Sequence, residues 1–181
     1  MLLEPCVLNS NLYYFLKKVG YDYFLSEDNL MGPRRFSILA KNSKSITNFL
    51  KSNPKGFIFV KPMSIDALKY SIINDKITGI ILAQDNIHLF KKTMLNLIRQ
   101  YDKPVEVQLR NFNSYVIRKL VTWSYKWIST PILSSCARTF NEIWPPLSKI
   151  DLLVVHGADE EEAIGWIYFL PQKLFSRNEH I

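Results

Sequence analysis

The chain has 181 residues, of which 48% are apolar and 22% charged, so it is long enough to bury one core and short for two domains. No uncharged apolar run approaches the roughly 20 residues of a membrane helix, and the start MLLEPCVLNS carries an acid where a secretory signal would be basic. The net charge of +7 is concentrated, since residues 31–60 hold six Lys or Arg and no acid, which suggests a polyanionic partner unless these side chains are merely solvated. We therefore expect a single cytoplasmic domain over residues 1–181.

Short runs rich in β-branched and aromatic residues recur along the chain and predict strands. In chain order the candidates are LLEPCVL, YDYFL, RFSILA, GFIFVKP, TGIILAQ, PVEVQLR and PILSS. Between several of them, apolar residues at spacings of three and four predict helices, as in the segment after the cap Ser64. Strict alternation of strand and helix favours parallel neighbours, because a parallel return needs a crossover.

The short distance between successive strands favours one α/β architecture over another. It suits a compact, somewhat eroded (β/α) TIM-like barrel better than a doubly wound sheet with insertions. In PVEVQLR, Val105 and Val107 share one face, and Glu106 and Gln108 share the other. We expect the apolar face to meet the helices and the polar face to line the barrel, and we expect the same arrangement around Glu4 in LLEPCVL.

The end of the chain predicts a helical hairpin. Pro146 suits the first turn of one helix, Leu147, Ile150 and Val154 form its apolar stripe, and Gly157 suits the left-handed position that follows. The next helix should begin at a capping box formed by Asp159 and Glu162, so its acidic run favours capping over metal binding.

Two cysteines, Cys6 and Cys136, lie far apart in the sequence, which excludes a disulfide framework and a four-thiolate zinc site and fits a reducing compartment. The three histidines are not at ligand spacing, so we expect no protein-built metal site. The glycines occur singly, which gives no support for a phosphate-binding loop.

The stretch ILSSCARTFNEIWPP places Ser134, Ser135 and Cys136 at the end of a predicted strand. A nucleophile there would need a base oriented by a third group, and no residue stands out as that base. Two other interpretations remain open: a tight structural turn, or a rim whose backbone amides and hydroxyls bind a phosphate oxygen.

Three acids, Glu4, Asp85 and Glu106, fall on or just after predicted strands. Such carboxylates can hold two metals in a phosphodiesterase, although those sites normally recruit histidines too. The commoner alternative is internal ion pairing with Lys61 and Arg110, and either role requires the acids to face inward.

Basic residues beside strand ends are the candidates for phosphate contacts, which would give affinity that falls steeply with salt. The RNA-binding candidates are Arg34, Arg35, Lys41, Lys61, Arg110 and Arg138. A helix carrying Val116, Leu120, Trp123 and Trp127 on one stripe is explained by the core, or, if part of it is exposed, by a protein interface.

From about residue 57 to 175 the order of motifs resembles the ribonuclease P protein component 3 family. The quoted pieces are FIFVKPMSIDALKYSI, ITGIILAQD, PVEVQLR, ILSSCA and PPLSKIDLLVVHGADEEEAIGWIYFLPQKL. Positions that match the family pattern in order are Ser134, Ser135, Pro146, Gly157, Ala163 and Pro171.

The resemblance implies a barrel-shaped subunit of the ribonucleoprotein that removes the 5′ leader of precursor tRNA. It implies ribonuclease P RNA and protein component 2 as partners, precursor tRNA as an indirect one, and no membrane. The RNA would be the catalyst, with magnesium at its active site, so the chain itself would carry no catalytic residue, cofactor or metal. The rival hypothesis is a barrel phosphoesterase or nuclease acting alone through Glu4, Asp85 and Glu106.

Overall fold

A computed structural model describes residues 2–28 and 30–178, and side chains as far as residue 175. In this part of the chain the strands are β1 (Leu3–Val7), β2 (Tyr23–Ser26), β3 (Arg35–Ala40), β4 (Phe57–Pro62), β5 (Gly79–Ile81), β6 (Val105–Gln108) and β7 (Pro131–Ser134). The helices are α1 (Tyr13–Lys18), α2 (Ser43–Lys51), α3 (Ile65–Ile73), α4 (Lys92–Gln100), α5 (Ser114–Ser124), α6 (Pro146–Val155), α7 (Glu160–Tyr168) and α8 (Lys173–Asn178). Each run predicted as a strand forms one, because β-branched and aromatic residues between turn signals favour extended backbone.

The strands pair in parallel, as the alternation of strand and helix predicts. One sheet contains β1 and β2, and a larger sheet has the order β3-β4-β5-β6-β7. Isolated parallel bridges join Val7 to Ala137 and Ser26 to Arg34. The end of β1 therefore lies beside the chain that follows β7, and the end of β2 lies beside the start of β3. The α/β class is confirmed.

The two faces of the larger sheet bury different clusters. Val105 and Val107 belong to the main core, which also contains Leu120 of α5 and Leu153 of α6, so the apolar face of β6 meets the helices as predicted. The other faces of the strands share a second cluster of Leu3, Leu25, Phe57, Phe59, Ile81 and Ile132, and Leu174 of α8 packs into it. Apolar packing on both sides explains why almost every residue of β1, β4, β5, β6 and β7 is buried, whereas the edge strand β3 of the larger sheet alternates between buried and more open positions.

The C-terminal helices α6 and α7 form where the sequence predicts them, and they contact each other. Pro146 occupies the first turn of α6, and Gly157, at a φ of +100°, follows its last turn. The predicted apolar stripe is wrong in part: Leu147 and Val154 are exposed, whereas Lys149 is buried beside Ile150. Spacing indicated the helix correctly, but the tertiary contacts of Lys149 decide which face is inward.

The start of α7 differs from the predicted capping box. The Asp159 side chain makes no capping hydrogen bond, and instead its Oδ2 accepts a hydrogen bond from Tyr125 Oη at 3.2 Å. A capping box forms in the turn after β7, between Thr139 and Glu142. The acids of the first turn of α7 remain well placed at the positive end of the helix.

The two cysteines form a disulfide between Cys6 and Cys136, with their Cα atoms 4.5 Å apart. The bridge from Val7 to Ala137 brings β1 and the chain after β7 side by side, which places the thiols together although they are 130 residues apart in sequence. The sequence analysis, which excluded a disulfide framework because the cysteines lie far apart, did not foresee this bond, and its argument for a reducing compartment loses its basis. None of the helices in the described ranges has the length and apolar content needed to cross a bilayer.

Candidate functional site

The residues Ser134–Cys136, at the end of β7, have a structural role. Ser135 donates hydrogen bonds to Glu4 from its backbone N at 2.9 Å and from its Oγ at 2.7 Å, and the same Oγ accepts one from Trp144 N at 3.0 Å. Its hydroxyl proton thus points to a carboxylate that is itself held by a cation. Because Cys136 is in the disulfide, this stretch serves as a strand end and turn that lead into α6, and it presents no activated nucleophile.

Glu4 forms a buried ion pair with Lys149 of α6, with Nζ and Oε2 2.6 Å apart and both residues at most 1% exposed. Burial lowers the pKa of Lys149, while the charge of Glu4 opposes that shift. The phenol of Tyr21 lies beside the pair, donates to Trp144 O at 2.7 Å, and has its pKa raised well above the usual value by burial and by Glu4. These contacts fasten α6 to β1 and the end of β7.

Glu106 forms a second buried pair with Arg35 of β3. Arg35 Nη1 and Nη2 donate to the two carboxylate oxygens at 2.7 and 2.5 Å, and Nη1 also donates to Pro5 O at 2.6 Å. The guanidinium lies 4.0 Å from the ring centroid of Phe59. Arg35 is 1% exposed, so its prediction as an RNA contact is wrong: the arginine balances an interior acid.

The three acids of the metal hypothesis do not share a site. Glu4 and Glu106 are paired with Lys149 and Arg35, rather than with the predicted Lys61 and Arg110. Asp85 pairs with Lys61 at 2.7 Å and its side chain is 50% exposed, so it does not face inward. Among residues 2–28 and 30–178, no group of three or more His, Cys, Asp or Glu side chains could hold a metal ion.

The remaining basic candidates divide between the two ends of the sheet. Lys41, Lys61, Arg110 and Arg138 lie at or just after the carboxyl ends of β3, β4, β6 and β7, which meet at one edge because the strands are parallel. Arg34 precedes β3, and its guanidinium lies 4.5 Å from the ring centroid of Phe36. Arg34 therefore lies at the opposite edge of the sheet from the other four candidates.

Carboxylates neutralise part of the charge at the carboxyl edge. Glu142 lies 3.9 Å from Arg110 Nε and accepts a hydrogen bond from the backbone N of Arg138 at 2.6 Å. That backbone bond, with help from the charge of Arg110, lowers the pKa of Glu142. The side chains of Lys41 and Arg138 form no ion pair within the described part of the chain and are exposed, so they are the most available cations of the set.

An open cavity of about 630 Å³ lies at the same edge. Its lining consists of Lys61, Ala83, Gln84, Asp85, Asn111, Phe112 and Asn113. Sequence reasoning selected Lys61 and Asp85 there but missed the aromatic ring and the three amides. The sequence does show these residues near strand ends: LAQD directly follows β5, and NFN lies in the chain after β6.

The tryptophan stripe of α5 is explained by packing. Val116 and Leu120 are buried, and Trp123 packs on the core and stacks on Phe90 at a centroid distance of 6.0 Å. Trp127, beyond the end of α5, packs against the same core and donates a hydrogen bond to Asn96 at 2.9 Å. Packing on the core accounts for the stripe, although Trp123 and Trp127 are only half-buried.

No protein-family model and no curated protein matches the sequence. Among solved structures, the fold is similar to that of a chain in a cryo-EM structure of archaeal ribonuclease P with mature tRNA. The two chains are 12% identical, and the alignment covers 98% of this chain and 91% of that chain with a TM-score of 0.79. At this identity the likeness shows a shared fold, and its coverage is wider than the segment with matching motifs, residues 57 to 175.

Proposed function

We propose that this chain is a protein subunit of a ribonuclease P ribonucleoprotein, which binds and supports the RNA that removes the 5′ leader of precursor tRNA. One observation carries the proposal: nearly the whole of the chain shares its fold with a chain of archaeal ribonuclease P, at a TM-score of 0.79. The order of the motifs from residue 57 to 175, which resembles protein component 3, points to the same assembly.

The charge distribution supports RNA as the partner. The chain carries +7, and exposed Lys41 and Lys44 lie in the segment of residues 31–60 that has no acid. Such a surface attracts a polyanion through phosphate contacts that carry little sequence information. With Arg35 removed from the predicted set, the proposed phosphate contacts are Lys41, Arg110 and Arg138 at the carboxyl edge and Arg34 at the opposite edge. Lys61 is no longer among them, because its charge is balanced by Asp85 at 2.7 Å.

In this proposal the chain contributes no catalytic residue to the endoribonuclease. Its interior acids are occupied by Lys149 and Arg35, and Ser135 hydrogen-bonds to Glu4. Charges that are already compensated in this way are poor metal ligands or general bases. The catalytic magnesium ions would be held by the RNA, and this chain would bind no cofactor.

We also infer that the parallel strands close into a compact (β/α) barrel that forms a single domain. The bridges from Val7 to Ala137 and from Ser26 to Arg34 support closure, because they connect both edges of the small sheet to the large one. The proposed partners are ribonuclease P RNA and protein component 2, with precursor tRNA contacted indirectly. The proposed location is the cytoplasm, and this proposal rests on the RNA partner and not on the cysteines, which form a disulfide.

Reconstitution tests the function. The purified chain, ribonuclease P RNA and protein component 2 are combined with precursor tRNA, and 5′ cleavage is measured over a range of magnesium concentrations. Leaving out this chain should reduce cleavage mostly at low magnesium, because added metal replaces lost protein cations on the RNA. Cleavage by this chain with magnesium and no RNA subunit would refute the proposal and favour the phosphoesterase hypothesis.

Matched arginine variants localise the effect. Arg138→Gln at the carboxyl edge should weaken cleavage at low magnesium, whereas Arg118→Gln, an exposed arginine on α5, should leave it unchanged. An equal loss for both variants, or a loss that is the same at every magnesium concentration, would argue against phosphate contacts at the carboxyl edge.

A further inference from the structure

The open cavity at the carboxyl edge has the size and position of a ligand site. Its volume of about 630 Å³ falls within the roughly 300–1,000 Å³ typical of small-molecule sites. Lys61 contributes from the end of β4, Gln84 from the chain after β5, and Asn111 to Asn113 from the chain after β6. In parallel α/β folds, whether the sheet is open or closed into a barrel, ligands are bound at the carboxyl ends of the strands, so this is the edge where a ligand is expected.

Phe112 offers an aromatic platform in this cavity. Phe112 is 50% exposed, although a residue of this type is normally buried. Trp144 lies nearly parallel to it, with centroids 6.3 Å apart and an angle of 6° between the planes, and His156 meets it edge-on at 6.5 Å. The ring is therefore held from the protein side and keeps exposed surface on which a planar ligand could stack.

The amides beside Phe112 have hydrogen-bonding capacity to spare. Asn111 is exposed, and its side chain makes no hydrogen bond to any other residue in the described ranges. Gln84 accepts one from Asn113 at 2.9 Å through Oε1, which leaves its two N–H donors for a ligand. Asn113 in turn is fixed as the N-cap of α5, since its Oδ1 accepts from Val116 N at 3.1 Å. Donors and an acceptor thus lie beside the ring.

The charges of the lining favour a neutral ligand. Lys61 and Asp85 form an ion pair 2.7 Å apart, so the two charged residues of the cavity cancel. A free phosphate would meet the Asp85 carboxylate as well as the Lys61 ammonium, and it would gain little. A flat, uncharged group with donors and acceptors on its edge fits all three features of the lining.

We propose that this cavity binds one unpaired nucleobase of an RNA strand, stacked on Phe112 and hydrogen-bonded at its edge by Asn111 and Gln84. Aromatic stacking and recognition of base edges are how proteins bind unpaired RNA. The inference deepens the proposed function and rests on it, since it requires that RNA be the partner. The phosphates on either side of the base would lie outside the cavity, within reach of cations such as Arg110.

The test compares binding of the full chain to two fluorescent RNAs: a hairpin with an unpaired loop, and a blunt duplex with the same stem sequence. Phe112→Ala should weaken binding of the hairpin by at least about fivefold, the lower end of what one stacked base contributes, and should leave duplex binding unchanged. Phe112→Trp, which keeps a stacking surface, should bind the hairpin as the unchanged protein does.

Phe140→Ala is the matched control, because Phe140 is 57% exposed, stacks on Phe15, and does not line the cavity. It should leave hairpin binding unchanged. Equal losses for Phe112→Ala and Phe140→Ala, or equal losses for hairpin and duplex, would overturn the inference. If the unchanged chain binds neither RNA, the proposed function fails as well, so the two failures are distinguishable.

Crosslinking locates the base independently of any effect of substitution on folding. Photolysis of the unchanged chain bound to the hairpin with 5-iodouridine in its loop should attach RNA to the tryptic peptide of residues 111–118, which follows Arg110 and ends at Arg118. Crosslinks confined to other peptides would overturn the inference.

A protein ligand for the cavity would overturn it as well. In that case the Phe112→Ala variant would bind RNA normally but would lose binding to a protein partner.

Discussion

Replacing Lys149 by methionine should destabilise the protein by about 3–5 kcal/mol, the usual cost of removing one partner of a buried ion pair. The side chain of Glu4 is fully buried, and it would lose the ammonium that lies 2.6 Å away. It would keep hydrogen bonds from Ser135 N and Oγ at 2.9 and 2.7 Å and from Cys6 N at 3.3 Å. These bonds favour the lower half of the range, because each continues to stabilise the carboxylate.

Equilibrium unfolding in urea, followed by tryptophan fluorescence, measures the loss. Because domains are typically stable by about 5–15 kcal/mol, a change of this size would shift the midpoint clearly. Lys76→Met is the matched control: Lys76 is exposed, and its replacement should change stability by no more than about 0.5 kcal/mol.

A double-mutant cycle separates the ion pair from general effects of substitution. Glu4→Gln keeps acceptor and volume but removes the charge that Lys149 compensates, so the double variant Glu4→Gln, Lys149→Met should be more stable than the sum of the single losses predicts. Strictly additive losses of stability would refute the claim that the Glu4–Lys149 pair holds α6 in place. A Lys149→Met variant whose stability lies within about 0.5 kcal/mol of that of the unchanged protein would refute it too.

Three further outcomes are expected. The pKa of Asp66 is lowered by hydrogen bonds from the first turn of α2, so the stability that its carboxylate contributes is complete above about pH 5 and is lost as pH falls below about 4. Urea unfolding across this range should show that the excess stability of the unchanged protein over Asp66→Asn shrinks in acid. An excess that is the same at every pH would contradict this prediction. Gly56→Ala should lower the free energy of unfolding by about 1–3 kcal/mol, because φ there is +143° and a Cβ would lie 2.4 Å from Arg34 O. An unchanged melting temperature would contradict this prediction. Cys136→Ser should lower the free energy of unfolding by about 2–5 kcal/mol, because the bond to Cys6 spans 130 residues. A reductant should lower the stability of the unchanged protein and leave that of the variant as it is. No response of the unchanged protein to the reductant would count against the disulfide.

The order of the strands and helices follows from local sequence. Runs such as RFSILA and GFIFVKP combine β-branched and aromatic residues between turn signals, and they form β3 and β4 within a residue of the expected bounds. Pro146 and Gly157 likewise set the ends of α6. These features depend on neighbours within a few positions, which is why spacing alone predicts them.

At the candidate site, sequence reasoning found charged residues by type but not their partners. Lys61 and Asp85 were selected and do contact each other, since both follow neighbouring strands. Arg35 was selected as an exposed cation because it begins a strand, but the register of the sheet points it at Glu106, 71 residues further along. Phe112 escaped notice because a single exposed ring has no periodic signal.

The amino-acid sequence by itself determined the α/β class, the parallel alternation, the concentration of basic residues and the start and end of α6. Only the tertiary structure decided that Glu4 lies against Lys149, 145 residues away, that the cysteines meet, and that Phe112 rests beside Trp144. The physical reason is range: backbone preference and hydrophobic period act between near neighbours, whereas compensation of buried charge and stacking of rings depend on which distant strands the sheet brings together.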